Sequence, residues 1–287
     1  MIVLEYLKVI LIGIVEGITE WLPVSSTGHM ILVERLFPLK AMSPEFYSMF
    51  LYVIQLAAIL AVVLYFFSRL NPFSGRKNAA EKKNTWSIWA KVLVGVIPAA
   101  IIGIALDDLI DEHVVQADFG VYVIAAALIV YGVLYILLER FRKDRPFRTE
   151  SLDALTYRDA IIIGLFQCLS ILPGTSRSGS TILGGMCIGV SRVASAEYSF
   201  FMAIPIMVGM SLLKVGKYAL SALEGVEGYT CTGDEIGLLL VGSVVAFAVS
   251  LVCIKFLMDF VRRHSFEVFG WYRIALGILV ILYFAFI

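Results

Sequence analysis

Two acidic residues, Glu16 and Glu20, interrupt an apolar stretch near the start of the chain. They are four residues apart, so on a helix they share one face. Ionisable residues in such a setting are costly and usually have both a partner and a function. The pair is suited to binding a divalent cation such as Mg²⁺ or Ca²⁺, or to sharing a proton as an acid–base couple. The alternative is a structural role beside a water-filled crevice.

A short polar segment, PVSSTGH, follows the glutamates at residues 23–29. Its proline interrupts the helix, and its glycine permits a tight backbone path. The hydroxyls of Ser25, Ser26 and Thr27, with the amides that open the next helix, could bind an anion. Taken alone, such hydroxyls are more often helix caps. His29 lies three residues after Ser26 and could take the proton of a serine nucleophile.

A second segment of the same kind, PGTSRSG, occupies residues 173–179. It repeats the hydroxyl cluster with Thr175, Ser176 and Ser178, and it adds Arg177. A guanidinium at membrane depth cannot lose its charge, so it requires an anion. The candidates are either glutamate or a bound phosphate, whose oxygens match the planar guanidinium. A purely structural ion pair is the alternative.

The overall composition is that of a polytopic membrane protein. Of the 287 residues, 60% are apolar and 16% are charged, whereas soluble domains average about 25% charged residues. The net charge of zero provides no field to attract nucleic acid. The four cysteines lie far apart and are interpreted as small apolar fillers. The N-terminal apolar run carries no cleavable signal pattern.

Six segments reach the roughly 20 apolar residues that a membrane-spanning helix needs. They are approximately residues 48–67, 88–106, 119–138, 197–214, 236–258 and 269–287. Two further apolar regions, about 2–37 and 158–190, are each broken midway by proline, glycine and a run of hydroxyl residues. Each is predicted to be a re-entrant helix–loop–helix hairpin. Non-helical backbone at that depth survives only where protein or trapped water satisfies it.

The charged loops give an orientation. Basic residues concentrate in the 68–87, 139–158 and 259–267 loops, whereas the 107–118 and 215–235 loops are mainly acidic. If both hairpins return to their starting side, six spans place the three basic loops on one face, which the positive-inside rule makes cytoplasmic. A hairpin that crossed fully would put the basic loops on opposite faces.

The two broken regions also resemble each other. Residues 12–28 read IGIVEGITEWLPVSSTG and residues 163–179 read IGLFQCLSILPGTSRSG, and a single one-residue shift aligns them. Each copy precedes three spans, so the second half is predicted to be inverted relative to the first. We therefore expect one all-α membrane domain over 1–287, with a first repeat at 1–140 and an inverted second repeat at 155–287. The loop tips would meet near the midplane.

Two other charged residues lie in or beside apolar runs. Glu197 opens a span, and it fits either the same cavity or the cytoplasmic headgroup region. Arg273, near the start of the last span, is expected to extend to the cytoplasmic surface.

The string from Glu16 to His29, EGITEWLPVSSTGH, closely resembles the signature of the bacterial undecaprenyl-pyrophosphate phosphatase family, which is linked with bacitracin resistance. So does PGTSRSG at 173–179, and length and span layout match over essentially the whole chain. The resemblance implies removal of the terminal phosphate from undecaprenyl diphosphate, which yields the lipid carrier for cell-wall synthesis. It also implies a multi-pass protein of the bacterial plasma membrane, a site open to the outer face, a divalent cation and a homodimer.

In that family the expected catalytic residues fall here on Glu16, Glu20, Ser26, His29 and Arg177. Two routes remain open from these residues: attack by Ser26 on the terminal phosphorus, or direct attack by water. The choice between neighbouring serines as nucleophile also stays open. The resemblance does not fix the metal or the preferred lipid chain length.

A transporter or flippase for an anionic lipid or phosphate compound is the competing class. Inverted repeats and re-entrant loops suit alternating access, and charges at depth suit an anion path. A purely structural scaffold fits poorly with charges placed at depth. Release of phosphate by the purified protein is what separates an enzyme from a transporter.

Overall fold

The computed structural model describes residues 2–110, 113–114, 117, 119–229 and 231–286. Its regular elements are helices, with one isolated bridge between Thr149 and Val190. The helices are α1 Ile2–Thr19, α2 Ser26–Leu36, α3 Pro44–Tyr65, α4 Phe67–Leu70, α5 Ala79–Ile110, α6 Gly120–Arg142, α7 Tyr157–Cys168, α8 Arg177–Cys187, α9 Arg192–Leu223, α10 Gly233–Val261 and α11 Glu267–Phe286.

Within the described residues, six helices are long and apolar enough to span a membrane: α3, α5, α6, α9, α10 and α11. Each contains most of one predicted span, so the six-span prediction is confirmed. The helices extend beyond the apolar segments because polar residues cap and prolong them. For example, Thr232 and Glu235 form a reciprocal capping box at the start of α10.

The two remaining apolar regions fold as pairs of shorter helices. α1 and α2 have 18 and 11 residues, and α7 and α8 have 12 and 11. The first loop, residues 20–25, connects α1 to α2, and the second loop, residues 169–176, connects α7 to α8. Both loops lie where the sequence has its proline and hydroxyl residues, so each region breaks at the expected point.

Close helix crossings hold the bundle together at glycines. Gly13 of α1 faces the backbone of Gly242 in α10, and Gly164 of α7 faces the backbone of Gly95 in α5. In the same way Gly132 and Gly270 face each other where α6 crosses α11. A side chain at these positions would meet main-chain atoms, so small residues set the helix spacing.

Ion pairs and hydrogen bonds connect the ends of neighbouring helices. Arg192 at the start of α9 pairs with the buried Glu139, which also accepts a hydrogen bond from the Phe266 backbone N–H. Arg148 donates to Asp159 at 2.5 Å.

The acidic residues predicted between α5 and α6 lie outside the part of the chain whose side chains are described. They are Asp107, Asp108, Asp111, Glu112 and Asp118.

Candidate active site

The first and second loops end alike. Ser25 and Ser176 are the N-caps of α2 and α8, and their hydroxyls accept hydrogen bonds from Gly28 N and Gly179 N. Both serines have a positive φ, 73° and 71°, and in the described chain they are the non-glycine residues with that feature. A positive φ costs a side chain energy, so the surrounding contacts must enforce it. The two loops are thus equally constrained at the point where each helix opens.

Glu20 is the centre of the polar cluster between the loops. Its Oε2 accepts a hydrogen bond from Ser26 Oγ at 2.9 Å, and its Oε1 accepts one from the Arg177 guanidinium at 3.2 Å. Ser178 Oγ donates to the Glu20 carbonyl oxygen at 3.2 Å. The structure therefore brings together three of the predicted catalytic residues, from two segments that are far apart in the sequence.

Arg177 is held on both sides. One terminal nitrogen donates to Glu20 and the other donates to the Ser199 carbonyl oxygen at 2.9 Å. Its Nε is buried and has no hydrogen-bond partner among the described residues. Because the side chain is 12% exposed, the cation is largely removed from solvent. A phosphate oxygen is a natural acceptor for such a donor.

Glu16 lies one turn before Glu20, and the backbone N–H of Glu20 donates to the Glu16 carbonyl oxygen. The side chain is 2% exposed, and within the described structure its Oε1 is buried without a hydrogen-bond partner. A buried carboxylate oxygen without a partner requires a proton or a cation. Glu16 and Glu20 are the acidic residues of this cluster that could hold a divalent cation. The described residues contain no group of three or more acidic, histidine or cysteine ligands.

His29 is on α2, but its hydrogen bonds do not involve Ser26. Its Nδ1 is 2.7 Å from the Ser25 carbonyl oxygen and its Nε2 is 2.6 Å from the Tyr272 hydroxyl. Sequence spacing allowed a contact between Ser26 and His29, yet Ser26 donates to Glu20 instead. The helical turn that places His29 near residue 25 directs its ring toward α11.

The other predicted phosphate-binding hydroxyls divide into two groups. Thr175 Oγ1 donates to the Leu169 and Leu172 carbonyl oxygens, and Ser176 caps α8, so both have roles within the loop. Ser25 likewise caps α2. Ser178 is buried and donates to the Glu20 and Leu22 carbonyl oxygens, so it connects the two loops. By contrast Thr27 is exposed and Ser26 donates to the Glu20 carboxylate, so these two remain the hydroxyls best placed to meet a ligand.

Arg273 was expected to extend to the cytoplasmic surface, and this prediction is wrong. The residue is fully buried and its guanidinium donates to the carbonyl oxygens of Pro23, Gly174 and Thr175 at 2.8–3.1 Å. It therefore connects the first loop to the second. Sequence reasoning missed it because a position near a helix end also permits a surface location, although an ionisable residue in a span is by default a functional candidate.

Glu197 pairs with Arg69 of the first basic loop at 3.0 Å. Of its two predicted locations, this contact favours the basic face over the cluster around Glu20.

The chain is similar to known proteins over nearly its whole length. The family model described as "Bacitracin resistance protein BacA" matches residues 9–279. A protein of Latilactobacillus sakei subsp. sakei named "Undecaprenyl-diphosphatase" is 51% identical over 281 residues, or 98% of each chain. One of Clostridioides difficile named "Undecaprenyl-diphosphatase 1" is 52% identical over 98% of this chain and 97% of its own. A protein of Enterococcus faecalis, also named "Undecaprenyl-diphosphatase", is 48% identical over 97% of both chains.

Proposed function

We propose that this chain, which belongs to the bacitracin resistance protein BacA family, hydrolyses undecaprenyl diphosphate to undecaprenyl phosphate and inorganic phosphate. This is the activity that the names of its relatives state, and their sequences are about half identical to this chain over nearly its whole length. One observation in the structure carries the mechanism: Glu20, Ser26 and Arg177 meet between two loops that come from different halves of the chain. Such a cluster combines an acceptor, a hydroxyl and a cation in one buried site.

Arg177 is the residue best suited to hold the diphosphate. When no anion is bound, its charge is balanced by Glu20. A diphosphate entering between the loops offers stronger and more numerous acceptors than one carboxylate, so the guanidinium can turn toward it. This exchange would free Glu20 to act on Ser26. Thr27 and the amides at the start of α2 and α8 complete the binding surface.

Charge balance supports a divalent cation in this site. With Glu16 ionised, the charges of Glu16, Glu20, Arg177 and Arg273 cancel, two negative against two positive. A diphosphate brings further negative charge into a buried space, which requires compensation. Glu16 and Glu20 would hold the cation, Mg²⁺ or Ca²⁺. When bound, it would neutralise charge on the phosphate oxygens.

Ser26 is the proposed nucleophile, with Glu20 as the group that receives its proton. The serine oxygen forms a bond to the terminal phosphorus, and the bond from that phosphorus to the bridging oxygen breaks. Undecaprenyl phosphate leaves, and water then hydrolyses the phosphoserine to release inorganic phosphate. The alternative route has water attack the phosphorus directly, with Glu20 or His29 as base and Ser26 as a hydrogen-bonding group.

The finer architecture is proposed as an inverted repeat with two re-entrant hairpins, α1–α2 and α7–α8. Matching contacts support it: α1 packs on α10 as α7 packs on α5, and α3 meets α9 while α6 meets α11. The glycine crossings match as well, Gly13 with Gly242 and Gly164 with Gly95. The paired positive-φ caps at Ser25 and Ser176 add an independent correspondence.

The cellular setting follows from the reaction and from the charged loops. We expect a bacterial plasma membrane protein whose basic loops face the cytoplasm and whose site opens to the outer face. There it would recycle the carrier lipid for cell-wall synthesis. A homodimer is expected from family resemblance and stays a prediction.

The proposal is tested with purified protein in detergent, polyprenyl diphosphate as substrate and released phosphate as the readout. Arg177→Ala and Glu20→Ala should each lower the rate about 100-fold or more, because they remove the anion's charge partner or the acceptor beside Ser26. Arg140→Ala is the matched control, since Arg140 also pairs with a glutamate but is 62% exposed. It should retain the wild-type rate.

The competing transporter or flippase predicts a different result. Wild-type protein that binds the lipid diphosphate with micromolar affinity but releases no phosphate, with or without Mg²⁺ or Ca²⁺, would contradict the enzyme and favour transport.

A further inference from the structure

We propose that Tyr272 is a positioning residue for His29: its hydroxyl binds Nε2 and fixes the orientation of the histidine ring at the site. The inference concerns a contact between α2 and α11, 243 positions apart in the sequence. It rests on the proposed function only for its catalytic consequence, because the hydrogen bonds themselves can be measured without activity.

The tautomer follows from the partners of the two ring nitrogens. Nδ1 lies 2.7 Å from the Ser25 carbonyl oxygen, which can only accept a hydrogen bond. Nδ1 must therefore carry the proton. In the neutral ring Nε2 is then the acceptor, and the Tyr272 hydroxyl at 2.6 Å donates to it. The same hydroxyl can accept from Nε2–H once the ring is protonated, so Tyr272 serves both states of the histidine.

The rings of His29 and Tyr272 also pack against each other, which restrains the histidine side chain. The rings of His29 and Tyr272 are parallel within 5°, with centroids 5.6 Å apart. The Ser25 carbonyl belongs to the residue whose φ of 73° is enforced by the first loop. His29 is thus fixed between a constrained backbone group and α11. Without Tyr272, the ring would keep its hydrogen bond to Ser25 and lose the one to α11.

The position of α11 is fixed by contacts with both loops and with α6. The next residue, Arg273, is fully buried and bonded to carbonyl oxygens of both loops. Neighbouring residues of a helix point about 100° apart, so Arg273 enters the junction of the loops while Tyr272 lies over α2. The glycines Gly270 and Gly277 bring α11 against α6. The position of Tyr272 is therefore set by the same contacts that set the loops.

This arrangement gives Nε2 of His29 a defined role. Ser26 already donates to Glu20, so His29 is not needed to receive that proton. Nε2 is the one ring position that can exchange a proton while Nδ1 stays bonded to Ser25. Tyr272 holds this nitrogen in the acceptor state, and the Tyr272 hydroxyl must move away from the single Nε2 lone pair before Nε2 takes a proton from water or phosphate.

The tautomer is tested by NMR on protein labelled with ¹⁵N-histidine in detergent. The chain has three histidines, so replacing His113 and His264 leaves His29 as the sole signal. We expect ¹⁵N shifts of a protonated Nδ1 and an unprotonated Nε2 in this parent. In Tyr272→Phe the Nε2 resonance should move downfield because that nitrogen loses its hydrogen-bond donor, while Nδ1 stays protonated against the Ser25 carbonyl oxygen. Tyr283→Phe, on the same helix, is the control and should keep the parent spectrum. Identical shifts in the parent and in Tyr272→Phe would overturn the proposal.

Kinetics give the second measurement. Tyr272→Phe should lower kcat roughly 3–10-fold with little change in KM and should change the pH profile of phosphate release, because it leaves the binding residues in place. In a His29→Gln background the tyrosine substitution should have no further effect, since its role acts through the ring. An equal loss of activity in both backgrounds would also overturn it. Absence of activity in the wild type would instead contradict the proposed function and leave the NMR test standing.

Discussion

At the scale of single residues, the site is defined by how its charges are paired. The Glu20 carboxylate accepts hydrogen bonds from both Ser26 and Arg177. By contrast, one carboxylate oxygen of the buried Glu16 lacks a hydrogen-bond partner in the described structure. Buried polar atoms without partners are rare and each requires an explanation. For these two atoms we propose a ligand: a proton or a cation at Glu16, and an anion at Nε of Arg177.

Ser26 and Ser25 have different roles despite being neighbours. Ser26→Ala should abolish most phosphate release if the serine attacks phosphorus, because water must then replace it. Ser25→Gly should retain more activity than Ser25→Ala, since glycine adopts a positive φ without cost. Rapid-quench measurements on the wild type should detect a phosphoserine. Full activity in Ser26→Ala would reject Ser26 as the nucleophile and leave direct water attack.

Arg273 should contribute strongly to stability. Arg273→Met leaves buried carbonyl oxygens of both loops without donors, at a cost of about 1–3 kcal/mol for each one that remains unsatisfied. Thermal unfolding in detergent should show a clear fall in Tm. Arg263→Met, in the exposed loop before α11, should leave Tm unchanged. A variant at 273 as stable as the control would show that the loops do not depend on this side chain.

At the scale of elements, glycine crossings decide how closely the hairpin helices approach the spans. Gly164 of α7 has room for no side chain because the Gly95 backbone lies against it. By contrast Gly209 of α9 has open space where a side chain would lie. The same residue type is therefore required in one helix and merely tolerated in another.

Gly164→Ala should separate α7 from α5 and lower the Tm, and it should also lower activity because α7 leads into the second loop. Gly209→Ala is the matched control, and it should be neutral or slightly stabilising, since alanine favours helix over glycine by about 1 kcal/mol. Thermal unfolding and phosphate release measure both variants. Equal Tm values for the two would mean that the crossing tolerates a methyl group.

At the scale of the whole molecule, the pairing of helices is nearly the same in the two halves, yet their chemistry differs. The first half supplies Glu16, Glu20, Ser26 and His29, whereas the second supplies Arg177 and, from α11, Arg273. Neither half holds both the acids and the cations. The site is therefore formed only when the two halves pack together.

The native cysteines test the orientation of the molecule. Cys231 and Cys187 are exposed, and the proposed topology puts Cys231 on the outer side and Cys187 beside the cytoplasmic loops. A membrane-impermeant maleimide should modify Cys231 in intact cells and should reach Cys187 only after permeabilisation. Cys231→Ser should remove the signal seen in intact cells. Labelling of Cys187 without permeabilisation would reverse or refute the orientation.

The sequence by itself determined the membrane class, the six spans and the positions of the two broken regions. Each of these depends on local properties: the length of an apolar run, or a proline and hydroxyl cluster that ends a helix. It also singled out Glu20 and Arg177, which meet in the structure, because charges within apolar segments are few and conspicuous. It assigned Arg273 to the wrong place.

Only the tertiary structure decided which of those residues touch. Glu20 and Arg177 are 157 positions apart, so no local pattern could select Glu20 over Glu16 as the partner of the arginine. The same holds for His29, which spacing placed near Ser26 and packing placed against Tyr272. Arg273 joins both loops for the same reason: the path of a long side chain depends on which helix packs beside it.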